Sequence, residues 1–309
     1  MTLQQLRYLC RLVDCGLNIS QAARTLHTSQ PGVSRYLHLL EDELGLQLFV
    51  RDKKRIVGLT PAAQAIVAVC RRMVSDADNL EHIAKDYRAG DAGDLTVATF
   101  HTHARYTLPP VIERFTRRYP RVRLRLRQGY LSQIAHWVKN GEADLFVATA
   151  PSEPVPELVL LPCHELHRVI LTPPGHPLLG RRRVALEDVA AYPVMTYDYE
   201  SAARSQVMRA FHKKHLSPNV VVRATDADVM KTYVQRGVGI AIVAHTAYDR
   251  RQDSGLRAID ARHLFESSTV HIGLRRNAYL SNHMMHFIEL VAPRLRRAQI
   301  ESAVNSRAP

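Results

Sequence analysis

Cysteine is scarce: Cys10, Cys15, Cys70 and Cys163 are the only four in 309 residues, and no two form a C-x-x-C pair. That excludes a disulfide framework, and reduced thiols suit a cytoplasmic protein. Long apolar runs are missing too. No stretch of about 18 uncharged apolar residues is present, and the opening MTLQQLRYLCRLVDCGLNIS carries Arg7, Arg11 and Asp14 where a signal peptide needs an unbroken apolar segment. The expectation is a cytoplasmic chain with no membrane partner. Glycine-rich phosphate loops, G-x-S-x-G and G-x-G-x-x-G do not occur, which removes nucleotide-dependent and serine-nucleophile chemistry. His164-Glu165-Leu166-His167 is one residue short of the spacing that puts two imidazoles on one helical face. No enzyme, catalytic residue, metal or cofactor is therefore expected.

What is present is ordinary globular composition with excess base. Hydrophobic residues make up 46% and charged residues 23%, enough to bury a core, and 42 Lys+Arg against 29 Asp+Glu give a net charge of +13. Such a balance favours a polyanionic partner. Residues 1–88 carry 12 basic and 9 acidic side chains, only +3, so a DNA-binding role for that segment needs a motif rather than bulk charge.

The length suits two domains. Helical periodicity dominates as far as Arg88, and Ala89-Gly90-Asp91-Ala92-Gly93-Asp94 reads as a hinge. Beyond it, apolar runs such as LTVATF (95–100), ADLFVAT (143–149) and GIAIVAH (239–245) alternate with helical stretches, the pattern of βα units and a largely parallel sheet. Residues after about Arg297 read as a loose tail.

Residues 18–35 contain two helix starts separated by a tight turn. Ser20 can cap the first, and Ser29 or Gln30 the second, with Pro31 in its first turn. On the second helix Val33, Leu37, Leu40 and Leu44 share one face, while Gln30, Pro31, Ser34, Arg35 and His38 occupy its neighbour. One face packs and the other can read a major groove. The basic hairpin Arg51-Asp52-Lys53-Lys54-Arg55 follows as a wing that can lie on phosphates. From Pro61 a helix of about 28 residues carries an apolar seam, Ala62, Ile66, Val69, Met73, Ala77, Leu80, Ala84 and Tyr87, with no partner helix nearby in sequence, so pairing with its own copy is expected.

These residues resemble the LysR-type transcriptional regulators. The marks are Leu6-Arg7-Tyr8, Ser20-x-x-Ala23-x-x-Leu26, Thr28-Ser29-Gln30-Pro31-x-Val33-Ser34, Leu40-Glu41-x-Glu43-Leu44-Gly45, Leu48-Phe49-x-Arg51 and Leu59-Thr60-Pro61. Further along, Thr99-x-His101-Thr102-x-Ala104-Arg105-Tyr106, Leu161-Pro162-Cys163 and Ala224-Thr225-Asp226-Ala227-Asp228 narrow the likeness to the CysB/Cbl subgroup. The resemblance implies an α/β chain with an all-helical winged helix-turn-helix domain at 1–60, a linker and dimerisation helix at 61–89, and a two-lobed effector domain at 90–309 like periplasmic binding proteins. Lobe I is expected at about 94–162 and 267–296 and lobe II at about 163–266, with crossings near Leu161-Pro162 and Phe265 to Ser268. It also implies double-stranded promoter DNA as partner, read by Ser29, Gln30, Pro31, Ser34, Arg35 and His38 with Arg51, Lys53, Lys54 and Arg55 on the wing. A homodimer or homotetramer, and RNA polymerase at the promoter, complete the expected partners.

The implied effectors are small anions, sulfate or an acetylserine, held by hydroxyls, backbone N–H groups and helix N-termini at strand ends. The expected effector-binding residues are Phe100, His101, Thr102, His103, Thr149, Leu166, Ser201, Ala202, Thr225 and Asp226. The subgroup pattern has Thr where this chain has Phe100, Gln for His103, a ligand-binding Thr for Ala202 and Trp for Leu166. Those departures point to a related but different anion, such as a sulfonate or another organosulfur acid whose apolar part meets Phe100. Two other classes were weighed on the sequence: a solute-binding receptor, against which residues 1–61 argue, and a chromatin-like DNA coat, which the +10 on residues 89–309 alone would favour.

Overall fold

The computed structural model describes residues 1–53, 55–89, 92–150, 155–198 and 202–306, with the side chains of 89 and 202–205 also outside the description. Lys54 and Ser201, and the side chain of Ala202, therefore lie outside the described residues. The chain divides into two units, Met1–Tyr87 with Asn277–Tyr279, and Arg88–Arg276 with Leu280–Pro309.

The first unit is three short helices, a hairpin and a long helix: α1 (Leu3–Asp14), α2 (Ile19–Thr25), α3 (Gln30–Leu44), β1 (Phe49–Asp52), β2 (Arg55–Leu59) and α4 (Pro61–Ala89). Side-chain caps start the first three. Thr2, Asn18 and Ser29 accept from Gln5, Gln21 and Gly32 backbone N–H groups. Gly45 ends α3 in the left-handed conformation at φ 64°, which a side chain would oppose. Leu6, Leu9, Leu12, Ala22, Val33, Leu37, Leu40, Leu48 and Ile56 make one core, joined by Ala63, Val67 and Cys70 from the start of α4.

In the second unit two five-stranded sheets form two lobes. Lobe I contains β3 (Gly93–Thr99), α5 (Pro109–Arg118), β4 (Val122–Gln128), α6 (Leu131–Lys139), β5 (Leu145–Thr149) and β6 (Leu158–Leu166). Lobe II contains β7 (Arg168–Thr172), α7 (Leu186–Ala190), β8 (Val194–Tyr197), α8 (Ala202–Lys213), β9 (Val220–Ala224), α9 (Ala227–Gln235), β10 (Ile240–Ala244) and β11 (Arg257–Asp260). The chain returns to lobe I as β12 (Ser268–Arg275), followed by α10 (Asn282–Val291) and α11 (Arg297–Val304). The strand orders are β4-β3-β5-β12-β6 and β11-β7-β10-β8-β9.

Four expectations need correcting. Asn18, not Ser20, caps α2, and the two sheets are mixed, not largely parallel, because β7 and β12 pair antiparallel with their neighbours. The first crossing is at His167, some way beyond Leu161-Pro162, because β6 stays hydrogen-bonded to β12 as far as Leu166 opposite Ser268. The tail is not loose: α11 buries Ile300 and Val304, an i, i+4 apolar pair that was passed over among charged neighbours. The chain passes back between the lobes after β11, and β12 begins at Ser268.

Candidate functional site

Two surfaces carry the residues singled out by sequence. On α3, Val33, Leu37 and Leu40 are buried while Gln30, Pro31, Arg35 and His38 are exposed and Ser34 is half-exposed. Ser29 uses its hydroxyl as the helix cap. The four residues 26–29 between α2 and α3 make the turn of a helix-turn-helix, so the free face of α3 is a polar face suited to a groove. On the hairpin, Lys53 and Arg55 are exposed, and Lys53 sits at the tip with φ 55°.

Arg51 has a second task. Glu41 is only 4% exposed, yet its carboxylate accepts from Leu48 N at 2.8 Å, Phe49 N at 3.4 Å and Arg51 Nη2 at 3.0 Å. A buried carboxylate is tolerable because two backbone donors and a guanidinium compensate it. This cluster ties the end of α3 to the start of the wing and so fixes where both present their bases. Glu41 was quoted as a motif letter, but sequence reading gave it no role.

The long helix keeps part of its seam uncovered. Ala63, Val67 and Cys70 go into the unit's own core, whereas Val69, Met73, Leu80 and Tyr87 are exposed, Leu80 by 68% and Tyr87 by 86%.

The second surface is the cleft where strand ends of both lobes meet. The π-helical turn His103–Thr107 follows β3, and Thr102 and His103 are buried, while the buried Tyr197 hydroxyl of lobe II accepts from Ala244 N at 3.4 Å. Burial, reinforced by His164 and Arg168, pushes the His103 imidazole down to about 4, so it is neutral near pH 7. Thr99 is spent inside lobe I, donating to Val147 O at 2.6 Å. Phe100 packs in part against the lobe I core beside Leu131 and Trp137. Thr149 lies half-exposed at the end of β5, and Leu166 is buried at the crossing.

Polar contacts bind the lobes across this cleft. His101 Nε2 is 3.0 Å from Asp226 Oδ2, an ion-pair distance without hydrogen-bond alignment, and His101 Nδ1 is 3.2 Å from Gln128 Oε1. Asp226 also caps α9 through Asp228 N at 2.7 Å. Tyr106 donates to Asp228 Oδ1 at 2.6 Å, and Arg105 and Lys231 flank the same carboxylate. Although burial opposes it, the donors Tyr106 and Lys231 hold Asp228 below the usual carboxylate range. Tyr130 donates to Asp198 Oδ2 at 3.1 Å, and Thr225 donates to the same oxygen at 3.0 Å. His101, Asp226 and Asp228 are the one grouping among the described residues with metal-ligand spacing, and Arg105 and Lys231 already sit on the Asp228 carboxylate.

At the crossing lies Arg168, 0% exposed. Its guanidinium donates to Leu166 O, Gln206 Oε1 and Ser268 Oγ, and among the described residues no carboxylate pairs with it. Burial lowers its pKa. Beside it His167 and His245 stack at 3.7 Å and 4°. Of the expected residues the structure brings His101 and Asp226 together beside Thr225, and the sequence reading misses Tyr130, Arg168, Tyr197 and Asp198 in the cleft. Asp226 and Asp228 were visible in the Thr225-Asp226-Ala227-Asp228 run; Arg168 offered no pattern. A cavity of 450 Å³ elsewhere in lobe II, between α7 and α8, has its Glu266 and Glu187 already paired with Lys213 and Lys214.

Over residues 3–64 the chain matches the family described as bacterial regulatory helix-turn-helix protein, lysR family, and over residues 88–296 it matches the LysR substrate binding domain. The chain is a LysR-type transcriptional regulator. It is 46% identical to the HTH-type transcriptional regulator SsuR of Burkholderia cenocepacia, over 97% of both chains. The regulator CysB of the same organism is 42% identical across 100% of this chain and 98% of its own. The crystal structure of the cofactor-binding domain of the Cbl transcriptional regulator superposes with a TM-score of 0.66 at 39% identity, covering 70% of this chain and 95% of that one. The LysR-type regulator therefore belongs to the CysB/Cbl subgroup, binds DNA and is not an enzyme, and its family is oligomeric. No described helix is long and apolar enough to cross a membrane.

Proposed function

We propose that the protein controls promoters of genes for sulfur assimilation or organosulfur use, in the cytoplasm, in response to a small anion bound in the cleft between the lobes. The observation that carries this reading is the cleft itself: strand ends of both lobes bring hydroxyls, the neutral His103 imidazole and the buried cation Arg168 together in a chain alike along its length to SsuR and CysB. Sulfate, an acetylserine and a sulfonate are the candidate effectors. The exposed seam of α4 supports a homodimer through that helix, which sets two α3 faces against one operator. A homotetramer follows from a second contact between effector domains, and the DNA-bound assembly meets RNA polymerase. Effector binding changes the setting of the lobes, a shift between two arrangements that alters the grip on DNA.

The test is genome-wide DNA capture with purified full-length protein, alone and with sulfate, thiosulfate, acetylserines and sulfonates. Peaks upstream of sulfur genes that move with one ligand are expected. Specific peaks elsewhere, unmoved by every sulfur compound, would assign the regulator to another pathway.

A further inference from the structure

The cleft holds two charges that find no counter-charge among the described residues, and they are of opposite sign. Arg168 is fully buried with its Nη atoms on neutral acceptors and its Nε without a hydrogen-bond partner. Asp198 stands at the end of β8. Its Oδ2 takes the hydroxyls of Tyr130 and Thr225, one from each lobe, and its shielded Oδ1 makes no hydrogen bond. Among the described residues no cation pairs with Asp198, in contrast to Asp228, which has Arg105 and Lys231. Thr196, two residues before Asp198 and hence on the same side of the strand, is 0% exposed with an unpartnered hydroxyl, and Thr246 Oγ1 after β10 is likewise unpartnered. Arg168 acts electrostatically on the buried hydroxyl of Tyr197, the residue immediately before Asp198.

Buried polar atoms are normally hydrogen-bonded, and buried charges are normally paired. A simple anion would satisfy Arg168 and the threonine hydroxyls but would meet an uncompensated carboxylate at Asp198. A simple cation would satisfy Asp198 and leave Arg168 alone. We propose that the cleft takes a zwitterion, of the class of aminoalkyl sulfonates and amino acids, with its ammonium donating to Asp198 Oδ1 and its anionic group turned to the Arg168 end. The proposal rests on reading the cleft as the effector site and narrows the ligand within it. Tyr130 and Thr225 also receive a role: they clamp the acceptor carboxylate from both lobes, so ligand contact at Asp198 reports directly on lobe closure.

The test uses matched pairs that differ only in the amino group. Calorimetric titration of full-length protein with 2-aminoethanesulfonate and ethanesulfonate, and with β-alanine and propanoate, is run beside inorganic sulfate. In the better-bound pair the amino member should bind about tenfold tighter or more, the fold-change a hydrogen bond to a charged group carries. Asp198→Asn should cancel that preference, the amino member losing affinity while the des-amino member, no longer opposed by the carboxylate, binds at least as tightly as before. Equal affinity within each pair for the wild-type protein, or a preference that survives in the Asn variant, would overturn the proposal while leaving the anionic effector reading intact. Failure of every pair together with sulfate would overturn both. The wild-type pair comparison stands even if the variant fails to fold.

Discussion

Two buried charges separate the two units of this regulator. Glu41 in the DNA-binding unit is satisfied by its own chain, through Leu48 N, Phe49 N and Arg51. Arg168 in the effector unit has only neutral acceptors. In the reading unit the buried charge is compensated within the chain, which ties the end of α3 to the start of the wing. The effector unit is left incomplete at the crossing between lobes, where a ligand can alter the balance. A rigid reader joined to an unfinished cleft is what a switch requires, because a ligand can shift an equilibrium only by its differential affinity for two states.

That contrast can be broken by substitution. Glu41→Ala should cost the largest amount, about 3–5 kcal/mol, because it leaves Arg51 and two backbone donors without their acceptor. Urea unfolding of the DNA-binding unit's signal should report the loss, together with loss of specific operator binding. Unchanged stability would mean that the cluster is ornamental and that the reader is not held by it.

The next effect is a pH dependence confined to the effector unit. His103 has its folded pKa depressed from 6.5 to about 4 by burial, then by His164 and Arg168. Since the unfolded chain takes up the proton first, stability should be full above pH 6.5 and fall as pH drops from 6.5 towards 4, by roughly 3 kcal/mol at most for this residue. His164 and His245 are lowered as well and act in the same direction. Unfolding curves at pH 7 and pH 5 should show a shallower pH slope in His103→Gln, and an identical slope would remove His103 from the account.

On DNA, Arg35→Ala should weaken a specific operator by about 1–3 kcal/mol while changing random DNA less. Equal losses on both in band-shift titrations would exclude Arg35 from base reading. The smallest effect is expected at Arg168→Met, about 1 kcal/mol or less in the ligand-free protein, because the desolvation cost of the charge disappears along with its hydrogen bonds. Sulfonate affinity should nevertheless drop. A loss of stability as large as that of Glu41→Ala would abolish the contrast between the units.

Much of the reader was legible in sequence because its signals are local. Ser29, Pro31 and Gly45 mark the ends of α3, and the 3.6-residue period of Val33, Leu37 and Leu40 gives its packing face. The period of α4 likewise identified a seam, of which Val69, Met73, Leu80 and Tyr87 are exposed. The cleft was legible in part. His101, Thr102, Thr225 and Asp226 stand at strand ends, which apolar runs predict. Arg168 and Asp198 were not foreseen, since what distinguishes them is the partner each lacks, and that depends on elements far apart in the chain. The four further residues of β6, 163–166, were hidden for the same reason: the strand's length is set by pairing with β12, whose residues lie about 100 positions away.

The most direct test of the central claim is footprinting of full-length protein on an operator recovered by DNA capture, titrated with sulfate, ethanesulfonate and 2-aminoethanesulfonate. The account predicts a footprint that changes at saturating ligand for the wild-type protein and stays fixed for Arg168→Met at the same concentration, with basal operator binding equal in both. A footprint indifferent to every anion, or one that shifts equally without Arg168, would contradict it.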